Sequence, residues 1–333
     1  MSVRTAAIRH PACLRAEGFM REKIVFIYNP NAGKKKVQVK LSEIVKELFD
    51  ENCDLVLSPT KKHGDAQETV KTYLREGLCK RIICSGGDGT LHEVINGMLS
   101  VSTLGNRVPL LYLPAGSTND FGKSLKMPKD MVDGAKLGRE GMLFPCDMAV
   151  FNTEYFVYTA AFGMFTAVSY ATKQSMKNVF GHLAYVLNGA ASLGNIQKYD
   201  MKVSYDDHYT EGRFVYGMVV NSESIGGFKG ITGKDVSLND GFYEMLLVRE
   251  FKAIELPDII NGIMHSDYSN PNLLYARVKH VRFECDRPVS YTLDGEFGGE
   301  CKVAEISIRH RAVDFLIPKS LIGIWEGADK LKD

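Results

Sequence analysis

The chain has 333 residues, enough for two domains with cores of their own, and its 45% hydrophobic and 24% charged residues are those of a soluble globular protein. Lys and Arg number 41 against 40 Asp and Glu, so the net charge of +1 gives no global field for a nucleic-acid partner. No apolar run approaches the roughly 20 residues of a membrane span, and seven cysteines without a C-x-x-C spacing read as reduced thiols of a cytoplasmic protein. Residues 1–19 carry Arg4, Arg9 and Arg15 with Glu17 as their one acid. They lack the apolar stretch of a signal peptide and are expected to form a disordered extension.

From residue 23 to about 147 strands and helices alternate. Residues 24–28 read as a strand, and Leu41, Ile44, Val45, Leu48 and Phe49 mark one helix face. Residues 54–57 form the next strand, after which Thr60 opens a loop into a helix with Val70, Tyr73 and Leu74 inward. The strand at 81–85 runs into Gly86-Gly87-Asp88-Gly89-Thr90 and then a helix marked by Leu91, Val94, Ile95, Met98 and Leu99. A strand at 108–113 precedes Pro114-Ala115-Gly116-Ser117-Thr118-Asn119-Asp120. This alternation predicts a doubly wound α/β domain, a parallel sheet whose ligands sit beyond the carboxyl ends of its strands.

Beyond about 149 the texture changes. Residues 156–165, 199–205, 213–221, 242–248, 276–285, 289–293 and 303–309 are strand-like, with helical patches only near 183–193 and 254–265. The second domain is therefore expected to be a β-sandwich. The expected boundaries are 20–148 for the nucleotide-binding domain and 149–318 for the β-rich domain. Residues 319–333, with Leu321, Ile322, Ile324 and Trp325, are expected to pack back on the first domain.

The glycine turn after the strand at 81–85 is the strongest chemical signal. Strand, glycine turn and helix let backbone N–H groups and a helix N-terminus approach an anion, and Asp88 is the one charge there that could organise a cation. An ordinary βα turn needs about one glycine, not three. Two familiar phosphate motifs fail. The third glycine of G-x-G-x-x-G is replaced by His92, and Gly116 stands five residues rather than four before Gly122-Lys123-Ser124.

Four separated motifs, Asn29-Pro30-Asn31-Ala32-Gly33, Gly86-Gly87-Asp88-Gly89-Thr90, Pro114-Ala115-Gly116-Ser117-Thr118-Asn119-Asp120 and Leu293-Asp294-Gly295-Glu296, resemble the soluble bacterial lipid kinases of the diacylglycerol kinase catalytic-domain family. The resemblance spans about residues 22–318. It implies a nucleotide-binding α/β domain and a β-rich lipid domain, with the active site in the cleft. Position by position it implies ATP contacts from Asn29, Gly33, Thr60, Gly87, Asp88, Gly89, Thr90 and Ser117, to which Gly86 and Asn119 of the same motifs and Lys34 directly after the first are added. It further implies a structural Mg²⁺ on Asp240 with backbone oxygens of Ser237 and Phe242, and acidic positions Asp120 and Asp147 in a charge network. Glu296 stands at the position of the proton acceptor. Asp294 lies two residues away on a probable strand end, so the two share a face unless Gly295 turns the chain, and either is a candidate base. An Asp-Gly pair is also a common hairpin signal.

The resemblance implies an ATP-dependent enzyme that phosphorylates a lipid hydroxyl in phospholipid metabolism, working in the cytoplasm and visiting the inner face of the membrane reversibly. It implies a lipid partner at the membrane surface and no nucleic acid, and leaves a homodimer open. Two alternatives remain at this point: an NAD kinase-like enzyme, which shares the Gly-Gly-Asp-Gly turn, and a non-catalytic nucleotide- and lipid-binding regulator. Residues 173–187 and 226–230, which mix basic and apolar side chains, are candidate membrane contacts. Tyr155, Phe156, Tyr158, Phe162, Met164, Phe165 and Tyr170 are candidates for an acyl-chain cleft or for ordinary core.

Overall fold

The computed structural model describes residues 6–8, 21–101, 107–117, 119–163, 196–222, 224–225, 228–229 and 237–321. The chain forms two compact units, the second being Asp147–Arg311 and the first comprising the residues on either side of it. The first boundary falls two residues before the expected one. The second falls seven residues earlier than expected, at Ala312 rather than after 318, because the end of the last strand joins the first unit.

In the first unit the elements run β1 (Ala6–Ile8), β2 (Lys23–Tyr28), α1 (Lys36–Leu48), β3 (Asp54–Pro59), α2 (Asp65–Arg75), β4 (Cys79–Gly86), α3 (Asp88–Val101), β5 (Leu110–Pro114), α4 (Asp120–Ser124), α5 (Met131–Glu140) and β6 (Met142–Phe151), the last crossing into the second unit. Strands β3, β2, β4 and β5 lie side by side in that order and are parallel. Ile24 to Tyr28 are all buried, as a strand covered by helices on both faces requires. The chain steps outward from β2 to β3 and then returns to place β4 on the other side of β2. That reversal is a topological switch point, where a doubly wound sheet opens a crevice for a ligand.

Two features differ from expectation. Ala6–Ile8 pairs antiparallel with β3, so the extension expected to be disordered contains one short edge strand. Helix α5 has no strong apolar stripe, because Gly134 and Gly138 sit on its buried face. They allow close packing: a Cβ on Gly138 would stand 3.5 Å from Leu48 at the end of α1. Asp130 caps it, accepting from Val132 N at 2.8 Å and Asp133 N at 3.3 Å.

The second unit continues with β7 (Glu154–Phe156), β8 (Thr159–Gly163), β9 (Tyr199–Tyr205), β10 (His208–Val220), β11 (Ser224–Ile225), β12 (Phe228–Lys229), β13 (Tyr243–Arg249), α6 (Leu256–His265), β14 (Leu273–Val278), β15 (His280–Leu293) and β16 (Glu296–Ile317). Its strand pairs are antiparallel. Period-two alternation sorts β10 and β13 between two cores. Val219, Met245 and Leu247 enter the sandwich interior, while Met218, Val220, Leu246 and Val248 meet Ile259 and Ile263 of α6. Phe162 is the hub of the interior, edge-on to Tyr199, Phe283 and Tyr291 at centroid distances of 5.5–5.8 Å. Phe156, Tyr158 and Phe162 are all buried, which makes them core rather than an open acyl cleft. Residues 164–195 and 322–333, with the helix expected at 183–193 and Trp325, lie outside the described residues. Of the expected C-terminal packing segment, Leu321 is described and is buried.

Candidate active site

Each parallel strand of the first unit ends in a loop, and the loops meet at the switch point. Asn29 N donates to Ser85 O at 2.8 Å, joining the ends of β2 and β4. Thr60 N donates to Tyr28 O at 2.9 Å and Ala115 N to Gly86 O at 2.8 Å, which brings in the ends of β3 and β5. The glycines mark how tightly the loops pack. Gly33 has φ +54°, and a Cβ there would stand 2.1 Å from the carbonyl oxygen of Ala115. A Cβ on Gly116 would stand 2.7 Å from the Gly87 Cα, and one on Gly86 would overlap the Thr90 side chain. The first three motifs are thus one surface built of backbone, with no room for side chains between them.

Side chains then fix that backbone. Asn29 Oδ1 accepts from Asn31 N at 2.9 Å. Asn119, at φ +50°, accepts from Gly116 N at 2.7 Å and donates to Gly116 O at 3.0 Å, closing the loop that carries exposed Ser117. Asp88 opens α3, whose first turn puts the positive end of the helix dipole at the same edge and folds onto Gly87 O, which accepts from Thr90 N and Leu91 N at 3.1 Å. Beneath it the Tyr112 hydroxyl donates to Gly86 O at 3.3 Å. Burial, with the charges of Asp88 and Asp120 after it, holds that phenol well above its usual range. Asp120 is wholly buried at the start of α4 with Lys123 Nζ 3.2 Å away. Thr118 lies outside the described residues, and of Lys34 only the backbone is described.

In the second unit the Asp294-Gly295 pair is a two-residue hairpin turn between β15 and β16, with φ +51° and +85° as a type I′ turn requires. The turn separates the two acids. Asp294 points inward, 4% exposed, and its carboxylate accepts from Val157 N at 2.8 Å, Tyr158 N at 2.9 Å and Thr159 N at 3.2 Å. These bonds also explain why the strand expected over 156–165 is broken into β7 and β8 at Val157 and Tyr158. Glu296 is exposed at the first position of β16. Asp294 is therefore corrected from candidate base to turn anchor, because its oxygens are committed to backbone; Gly295 does turn the chain, and the two acids do not share a face.

Asp147, wholly buried, accepts from Gly241 N, from Arg311 N at 2.6 Å and meets His310 Nδ1 at 2.9 Å. Burial raises its carboxyl above the usual range against those three partners. It ties the 241 loop to the end of the β16 segment of its own unit.

Comparison with known proteins follows the same division. The sequence profile of the diacylglycerol kinase catalytic domain matches residues 23–150, and that of the YegS C-terminal NAD kinase beta sandwich-like domain matches residues 159–317. The diacylglycerol kinase of Staphylococcus saprophyticus subsp. saprophyticus is 30% identical over 282 residues, 84% of this chain and 91% of that protein. The chain belongs to the diacylglycerol kinase catalytic-domain family. The Staphylococcus aureus (strain MRSA252) diacylglycerol kinase is 28% identical over 91% of this chain and 95% of its own length. A crystal structure of a diacylglycerol kinase from Bacillus anthracis str. Sterne shares the fold, with a TM-score of 0.69 at 24% identity over 91% of this chain and 99% of that one.

Family resemblance leads one to expect a structural Mg²⁺ at 237–242, and the residues present do not fit it. Asp240 Oδ1 accepts from Phe242 N at 3.0 Å, and Oδ2 is ion-paired with Arg277. The Arg277 guanidinium and the Lys279 ammonium each lie 4.7 Å from the Phe242 ring centroid, and Arg311 Nε donates to Asn239 O at 3.5 Å. Three cations crowd a loop whose own acid is already neutralised. Of the expected metal set of Ser237, Asp240 and Phe242, the one carboxylate is thus already engaged by Arg277.

Three residues of this family member escaped the sequence reading. Glu93, buried on α3, accepts from Gly64 N at 2.9 Å and Ala66 N at 3.1 Å, capping α2 and holding the loop that begins at Thr60. The signal was an acid inside the apolar stripe of Leu91, Val94 and Ile95. His310 escaped because nothing in its strand-end sequence distinguishes it from a solvated histidine. Asn221, wholly buried at the end of β10, has neither amide atom hydrogen-bonded among the described residues. Its neighbours Val219 and Val220 made it look like a strand terminus.

Proposed function

We propose that this protein is an ATP-dependent lipid kinase that transfers the γ-phosphate of ATP to the hydroxyl of diacylglycerol, giving phosphatidic acid and ADP. The observation that carries the reading is the convergence of four strand-end loops, packed backbone to backbone through Gly33, Gly87 and Gly116, on the N-terminus of α3. Such a surface offers N–H groups and a helix dipole to a polyphosphate. Asp88 is the carboxylate suited to the Mg²⁺ that accompanies ATP, which neutralises phosphate charge. Phosphoryl transfer asks for little more than positioning, charge neutralisation and a group to take the hydroxyl proton. Glu296 takes that proton as the lipid oxygen attacks phosphorus and the bond to ADP breaks.

Purified protein given radiolabelled Mg·ATP and a panel of diacylglycerol, sphingoid base and polyprenol in mixed micelles is expected to label diacylglycerol. Glu296→Gln is expected to lower turnover by about 10²–10⁴-fold, the usual contribution of a general base. Failure to label any lipid would overturn the reading; label on another alcohol would move the substrate.

No helix among the described residues is long and apolar enough to cross a membrane. We propose that the enzyme meets its lipid by reversible electrostatic contact with a cytoplasmic membrane surface. The two candidate contact segments, 173–187 and 226–230, fall largely outside the described residues. Each basic side chain near an anionic surface is worth about 1 kcal/mol and is screened by salt. Sedimentation with anionic vesicles should exceed that with neutral ones and fall as salt rises; equal, salt-insensitive binding would refute the mechanism.

A further inference from the structure

We infer that the Arg277 guanidinium holds the 237–242 loop of this chain in the place where a divalent cation would otherwise sit. Asp240 is the loop's acid, and its side chain is only 8% exposed. A carboxylate so enclosed needs a partner of opposite charge. That partner is supplied from within. The register of β13 and β14 sets Arg277 directly across from Glu244, two residues beyond the loop's end at Phe242.

From there the planar fork makes three contacts at once. It pairs with Asp240 Oδ2, lies 3.8 Å from Glu244 Oε1 through Nε, and stacks 4.7 Å from the Phe242 ring centroid. A guanidinium does this well: its five donors are fixed in one plane, and its faces are weakly hydrated enough to lie on an aromatic ring. The remaining charges disfavour a metal. Lys279 sits against the same ring and Arg311 against the Asn239 carbonyl, so Asp240 and Glu244 face Arg277, Lys279 and Arg311. Among the described residues the one loop carboxylate, Asp240, is already paired with Arg277, and Asp147 on the other side of the loop is committed to Gly241 N, Arg311 N and His310. A divalent ion entering at Asp240 would have to displace Arg277 toward the other two cations, while gaining one carboxylate. Mg²⁺ sheds its waters reluctantly and takes sites with carboxylates to spare.

The test is thermal, on nucleotide-free full-length protein, so its outcome is separate from whether the protein phosphorylates a lipid. Wild type should unfold at the same temperature in EDTA and in millimolar Mg²⁺. Arg277→Met, which keeps the stem and removes the charge, should unfold at a lower temperature in EDTA. Arg277→Lys, which keeps the charge without the fork, should fall between them and keeps the question answerable if the methionine variant does not fold. A bound structural ion saturated a hundredfold above its Kd would instead raise the wild-type Tm by roughly 5 °C or more. Such a rise in wild type, abolished by Asp240→Asn, would overturn the inference. So would an Arg277→Met protein that melts with wild type.

Discussion

Replacing Asp294 by asparagine separates the two acids of the hairpin turn. Asparagine is nearly isosteric and tolerates the left-handed φ of +51° at this position as readily as aspartate does, so the backbone gains no strain. What changes is the acceptor count. The carboxylate accepts three buried N–H groups, one on Oδ2 and two on Oδ1. An amide can offer its oxygen on one side only. In its better orientation it keeps Tyr158 and Thr159, loses Val157, and sets an NH₂ against that N–H. Hydrogen bonds to a charged group contribute about 1.5–3 kcal/mol each, and the two survivors become neutral and weaker. The expected cost is about 2–4 kcal/mol, which for a domain of this size lowers Tm by roughly 5–15 °C. Glu296→Gln changes an exposed residue and should stay within about 0.5 kcal/mol of wild type in stability while losing turnover. Urea unfolding and the lipid-labelling assay on both variants read the two effects apart. An Asp294→Asn protein as stable as wild type yet as inactive as Glu296→Gln would refute the assignment and make Asp294 the base.

Gly33→Ala would place a methyl group 2.1 Å from the Ala115 carbonyl oxygen at φ +54°, so the first and third loops must part; calorimetry should show ATP affinity falling by at least about tenfold, since sub-ångström misplacement of binding groups is costly. Glu93→Gln removes the charge from the acceptor that caps α2 and should cost about 1–2 kcal/mol in urea unfolding, with a raised KM for ATP as the Thr60 loop loosens. Asn221→Leu exchanges two unsatisfied buried amide atoms for an apolar side chain of similar volume, and should leave Tm unchanged or raise it; a drop of several degrees would mean that a buried water satisfies the amide.

How much was legible depended on whether a residue's role is local. The parallel strands announced themselves because Val25, Phe26, Ile27, Ile82 and Ile83 are covered on both faces, which forces unbroken apolar runs. The glycine positions were legible because crowding leaves no alternative residue. Helix α5 was not, since its two glycines erase the stripe that periodicity detects while making the close approach to α1 possible. The split between β7 and β8 was not legible either. Nothing in Val157-Tyr158 forbids a continuous strand; the break comes from a carboxylate 137 residues away. The loop at 237–242 shows the same limit more sharply. Its own residues match a metal-binding pattern, and only the register of β14 brings Arg277 and Lys279 onto it.

One arrangement recurs wherever a functional residue sits on a loop. An acid or amide uses its oxygens on backbone N–H groups and so fixes a loop carrying a proposed site residue, two positions away for Asn119 and Asp294 and in a separate loop for Glu93. Asn119 closes the loop that exposes Ser117, Glu93 holds the loop that begins at Thr60, and Asp294 anchors the turn before Glu296. The anchors are buried or half-buried, and the residues they position are more open. Catalysis by positioning gains from this, because donors already fixed before substrate arrives need not be reorganised during the reaction. It also explains why motif spacing alone left Asp294 and Glu296 undecided. What separates them is the direction in which Gly295 turns the chain, Asp294 inward onto backbone and Glu296 outward.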